Sequence, residues 1–239
     1  MNNDHEDFTE ANAAIEDLRA RYRRGEVSGA ELDLIMKGAP RGPLQLKERV
    51  RALLYLVPDD AVRERCLEIA REVEGRQKLA LIRKYAGMRP LPHPGWHLAI
   101  NPDVEGISQI ISAIAELYRS AGILPYSRVR SLSAGLLLEG VSGSELAVLE
   151  QREPDYVLDR PVDPDLITKY VDKADGGLLF IGGFHRVTAA AADEILNALV
   201  HPMEYRQETL AIMVAAPADL LARTKAINPS FFARIRTFI

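Results

Sequence analysis

Residues 87–96, Gly-Met-Arg-Pro-Leu-Pro-His-Pro-Gly-Trp, place three prolines and two glycines in ten positions. Proline fixes φ and removes a backbone donor, and glycine loosens the chain, so no regular element crosses this stretch. It sets the boundaries expected here: a helical part over 1–89, a Pro-rich joint over 90–97, and a second domain over 98–239. The 239 residues are enough for one large domain or two small ones.

On the N-terminal side the periodicity is helical. Ile15, Leu18 and Tyr22 share a face from Phe8 to Arg24, and Ser28-Gly-Ala-Glu31 has capping-box form before Leu32. Pro43 opens a segment running to Val57. Asp59 or Asp60 caps the next helix, whose Val62, Cys66, Ile69 and Val73 form one stripe to a stop near Gly75, with a last short helix over Gln77 to Tyr85.

Beyond the joint, strands alternate with helices. His97–Ile100, Ser127–Leu132, Gly177–Ile181 and Leu210–Ala215 read as strands. Ile107–Ser120, the segment after Ser142-Gly-Ser-Glu145, Asp163–Val171 and Val187–Val200 read as helices. The expected class is α+β, a helical subdomain followed by a small mixed α/β domain. Val27–Leu32 and Val141–Leu146 are nearly the same six residues, but no further match occurs at that offset, so two convergent helix starts explain them. The last twelve residues carry Phe231, Phe232, Ile235, Phe238 and Ile239. Such a tail docks on its own domain or on a second copy.

Composition narrows the function. Thirty basic against 34 acidic residues give a net charge of −4, which excludes a protein that is a polycation over its whole surface. No run of 18 apolar residues occurs, so no membrane span is expected, and the polar N-terminus is no secretory signal. Cys66 is the single cysteine; it excludes an intramolecular disulfide framework and fits a reducing, cytoplasmic setting. No Gly-x-Ser-x-Gly, no Gly-x-Gly-x-x-Gly and no glycine loop followed by a Walker lysine is present. His93 and His97 have metal-like spacing, but Pro94 and Gly95 exclude a helix between them, and no metal site is assigned.

The stretch with the clearest chemistry is Leu178-Leu-Phe-Ile-Gly-Gly-Phe-His-Arg-Val-Thr, followed by Ala189–Ala192. An apolar strand runs into Gly182 and Gly183, which let the backbone approach a ligand. The next helix start offers N–H groups and a positive dipole end. Arg186 is a bidentate donor for phosphate or carboxylate, and His185 donates, accepts or transfers a proton. A tight turn with a solvated cap is the plainer reading of the same residues.

This strand followed by Gly-Gly-x-His-Arg resembles the turn of ParB/sulfiredoxin-like proteins over about fifteen residues. The resemblance implies a ParB/sulfiredoxin-like fold for the second domain and an ATP- or CTP-binding turn. Gly182, Gly183, His185 and Arg186 would hold phosphate, and His185 and Arg186 would serve catalysis in phosphoryl transfer or nucleotide hydrolysis. Phe184 stands where sulfiredoxins carry their reactive cysteine, and the acidic residue of the kinase and ParB forms is missing between Ile181 and His185. Asp175 and Arg206 are candidates to support the turn. Two alternatives are a DNA-associated regulatory module and a protein–protein adaptor or assembly factor with a vestigial turn. The latter would use the helical half or the C-terminal tail to bind a partner or form a homodimer.

Overall fold

The computed structural model describes residues 20, 21, 23, 24, 48–89, 95–153 and 155–237. The expected helix over 28–35, the start of the one opening at Pro43, and His93 lie outside them, as do Phe238 and Ile239. The chain divides into two compact units, Met1–Gln45 with Leu67–Pro92, and Leu46–Cys66 with His93–Ile239.

Among the described residues, two full helices over 48–85 precede the joint. Helix α1 spans Glu48–Tyr55 and α2 spans Asp60–Tyr85. Asp59 starts α2 by accepting the Ala61 and Val62 N–H groups at 2.8 and 3.1 Å, an arrangement worth about 1 kcal/mol. The break expected near Gly75 does not occur. Glycine costs a helix about 1 kcal/mol, but Ile69 and Val73 before it and Leu79 and Ile82 after it are all buried, and the chain continues helical to Tyr85. In the first unit Ile69, Ala70, Val73, Leu79 and Ile82 form the buried stripe of α2.

The second unit holds a five-stranded sheet. Besides α1 and the start of α2, its elements are β1 (His97–Ile100), α3 (Ile107–Ser120), β2 (Val129–Ser133), a 3₁₀ turn (Ala134–Leu137), α4 (Gly143–Arg152), α5 (Pro164–Ala174) and β3 (Leu178–Gly182). A second 3₁₀ turn (Phe184–Arg186) follows, then α6 (Ala189–Ala198), α7 (Val200–Tyr205), β4 (Ala211–Ala215), α8 (Ala218–Ile227), α9 (Pro229–Phe232) and β5 (Ile235–Thr237). The strand order is β2-β3-β4-β1-β5, and every pairing is parallel. Parallel neighbours require crossovers, and right-handed crossovers send a connection running toward β2 to one face and those running toward β5 to the other. Thus α3 covers one face while α5 to α9 cover the opposite one. The strand residues pointing at that second face, among them Leu132, Leu179, Ile181, Ile212 and Val214, join one core with Ile167, Ile195, Leu196 and Phe231.

Caps read from sequence form as expected. The Ser142 side chain accepts the Glu145 N–H, and Asp163 accepts those of Asp165 and Leu166 ahead of Pro164. As far as Thr237 the aromatic tail docks on its own unit: Phe231 is fully buried and Ile235 pairs with His97 of β1. Trp96, also buried, packs 5.5 Å from Tyr118. His97 is no metal ligand. Its ring is fully buried, Nδ1 accepts the Ile212 N–H at 3.1 Å, and Nε2 therefore carries the proton it donates to Met203 O at 3.1 Å.

Candidate functional site at the carboxyl edge of the sheet

In an all-parallel sheet every strand ends at the same edge, and ligands bind where neighbouring strands send their connections to opposite faces. Here β1 leaves toward β2 and β4 leaves toward β5, so that switch lies between β1 and β4. Strands β1, β3 and β4 each run through a turn into a helix at this edge, and two of those turns bend at a left-handed glycine.

The first is β1–α3. Asn101 opens the turn, its Oδ1 accepting the Asp103 N–H at 3.1 Å. Gly106 closes it at φ 77°, a left-handed conformation that favours glycine. A Cβ on Gly106 would come within 2.8 Å of Pro58 Cδ, and Val57 Cα lies at 3.7 Å. The segment joining α1 to α2 therefore sits directly on the start of α3. Arg63 ties the same segment to the first turn of α2, its Nη2 donating to Val57 O at 2.8 Å. The turn itself carries exposed Asp103 and Glu105 and no basic residue. Sequence reasoning passed over this unit, although Asn101-Pro102 before an isoleucine-rich helix was a usable turn signal.

The second unit is β3–α6, which brings Gly182, Gly183, His185 and Arg186 to the edge. The apolar run becomes a strand as expected, and Gly183 turns it at φ 72°. A Cβ on Gly183 would lie 2.6 Å from Ser133 Oγ at the end of β2, and one on Gly182 would lie 3.3 Å from Phe180 Cε1. The glycines thus allow close approach, and what approaches is the protein itself. His185 and Arg186 do not stand in the first turn of the helix. They form a separate 3₁₀ turn in which Arg186 N–H donates to Gly183 O at 3.0 Å. Helix α6 starts after Thr188, whose hydroxyl accepts the Ala191 N–H. The stretch after the turn pairs with the 155–158 segment: Leu158 N–H donates to Arg186 O, and Thr188 N–H donates to Leu158 O. Phe184 is buried in the core, while His185 is exposed.

The Arg186 guanidinium lies 4.9 Å over the ring of Tyr156. Burial pushes the Tyr156 phenol above its ordinary value; Glu150 adds to the rise and Arg186 opposes it. Its hydroxyl is buried and makes no hydrogen bond among the described residues. Of the four alanines, Ala191 and Ala192 face the core and Ala189 and Ala190 are exposed.

Asp175 and Arg206 do not support this turn. Arg206 bridges Asp172 at 2.6 Å and Asp175 at 3.4 Å, and Thr209 donates to Asp175 at 2.7 Å. These residues precede β3 and β4, at the amino end of the sheet, about 13 Å of strand away from Gly182. Cys66 is buried, and burial pushes its thiol up to about 12, so it is inert as a nucleophile. Among the described residues no group of three or more His, Cys, Asp or Glu side chains is placed to hold a metal. No helix among them is long and apolar enough to cross a membrane. No family model matches the chain, and no curated protein is found similar to it.

Proposed function

We propose that the chain is a non-catalytic protein–protein adaptor or assembly subunit, built on a nucleotide-type parallel α/β domain whose phosphate site is vestigial. The observation that carries this reading is the packing of Pro58 and Val57 against Gly106, at the start of α3. A strand–turn–helix unit at the switch point is where such domains cradle phosphate. The cradle needs approachable N–H groups, a cation, and a carboxylate on a nearby strand end to hold Mg²⁺. In this chain Pro58 lies against Gly106, Asp103 and Glu105 occupy the turn, and β3 ends in Gly182-Gly183. Each departure opposes a polyphosphate, by crowding at Gly106, by like charge and by loss of a metal ligand. With a single, buried cysteine, the reading places the protein in a reducing cytoplasm.

A second reading is favoured by one observation: β3 delivers a left-handed Gly183 with His185 and Arg186 to the ligand-binding edge. In it, as the ParB/sulfiredoxin-like resemblance implies, ATP or CTP phosphates sit on Gly182, Gly183 and Arg186, with His185 as acid or base. The guanidinium would have to leave the Tyr156 ring to do so.

Thermal unfolding of the full chain with Mg²⁺ and ATP or CTP at about 1 mM separates the two. The adaptor reading predicts an unchanged midpoint. A saturable rise that Arg186→Ala abolishes establishes the second reading and overturns the first.

A further inference from the structure

Strand β2 ends the sheet on one side, and among the described residues no strand pairs with its outer edge. Every second residue of an edge strand turns its N–H and C=O outward, a template for another extended chain. Arg130 and Ser131, in the middle of β2, are both exposed. Toward the start of β2 the flanking groups are cations and aromatic rings. Arg128 donates to Asp175 O at 2.6 Å and lies 6.0 Å from the ring of Tyr126, which is 61% exposed. Arg130 makes no ion pair among the described residues.

Helix α5 supplies the remaining wall. Asp172 is turned inward along the sheet, toward Arg206 ahead of β4. At 100° per residue, Asp165 shares that flank and Tyr170 lies on the opposite one, toward β2. Lys173 stands beside it, its Nζ 5.6 Å over the Tyr170 ring. The acidic groups of this end are therefore neutralised or turned away, and the cations and aromatic rings border the open edge.

We infer that the β2 edge binds an acidic segment of a partner protein, added in extended form as a sixth strand. Main-chain hydrogen bonds to β2 would supply the register, and Arg128, Arg130 and Lys173 would meet carboxylates on alternate side chains. Basic and aromatic residues also suit single-stranded nucleic acid, but an unpaired ladder of N–H and C=O groups fits a peptide backbone better than a phosphate backbone. This assignment rests on the adaptor reading and names its contact surface.

The test uses the full chain and three probes: a labelled octapeptide alternating valine and glutamate, its valine–lysine counterpart, and oligothymidine. The expected result is salt-sensitive binding of the acidic peptide alone, with slower amide exchange at 129–133. Binding should weaken about tenfold or more in Arg130→Glu/Lys173→Glu, a surface double variant whose circular dichroism is unchanged. N-methylation of alternate peptide nitrogens should abolish it. Equal binding of the lysine peptide, binding of oligothymidine in place of peptide, binding insensitive to N-methylation, or no binding would each overturn the assignment. A failure here together with a flat nucleotide titration removes this surface but leaves the adaptor reading standing. A nucleotide-dependent midpoint removes the reading itself.

Discussion

The turns after β1 and after β3 are built alike and differ in what they lack. Both leave a parallel strand at its carboxyl end, both bend at a left-handed glycine, and both lead into a helix. The β1 turn has the right place, at the switch of the sheet, but Pro58 crowds its glycine and its charges are negative. The β3 turn has the right charges, but its glycine is pressed against Ser133 and its arginine lies on Tyr156. Anion binding needs position, open backbone and positive charge at one point. Dividing them between two turns yields two well-packed corners.

The comparison is broken most severely at Gly106. Gly106→Val adds a β-branched side chain at positive φ against Pro58, and should cost about 3 kcal/mol, measured as a drop in the denaturation midpoint. A loss near zero would mean that the 57–58 segment does not crowd Gly106.

Gly183→Ala should cost about 2 kcal/mol, part from φ 72° and part from Ser133 Oγ. A double-mutant cycle with Ser133→Ala sharpens the point, because relieving the hydroxyl should recover only the contact part. Gly182→Ala, facing a ring edge at ordinary φ, should cost less than Gly183→Ala.

Thr188→Ala removes the cap of α6 and should cost about 1 kcal/mol by the same measurement. An undiminished midpoint would show that the helix start is held by the 155–158 pairing alone.

The smallest effect belongs to Arg186→Ala. Loss of the ring contact should cost about 0.5–1 kcal/mol, and the Tyr156 phenol should move still further above its ordinary 10.0, since the guanidinium opposes the rise. With the folded phenol held above its unfolded value, stability is full below the ordinary phenol range and falls as pH climbs past it. Ultraviolet titration of the tyrosinate band checks both signs.

Much of this architecture was legible residue by residue, for local reasons. Leu178–Ile181 and Leu210–Ala215 are apolar runs of strand length bounded by breakers, and Ser142, Asp163 and Asp59 are caps whose side-chain chemistry is read directly. What escaped depends on distant partners. Gly75 signals a stop, yet a continuing buried apolar stripe carries α2 through it. Residues 235–237 form a strand only because β1 offers an edge. The Gly182–Arg186 turn was visible as a motif, but that its glycine meets Ser133 and its arginine meets Tyr156 follows from the order of strands, which no local pattern encodes. Placing Asp175 and Arg206 beside it failed for the same reason, because strand direction sends them to the other end of the sheet.

Equilibrium dialysis of the full chain against radiolabelled ATP and CTP with Mg²⁺ tests most directly whether either corner grips a polyphosphate. The account predicts equal label on both sides of the membrane for wild type and for Arg186→Ala alike. Retention by wild type that saturates at one nucleotide per chain and disappears in the variant would contradict it.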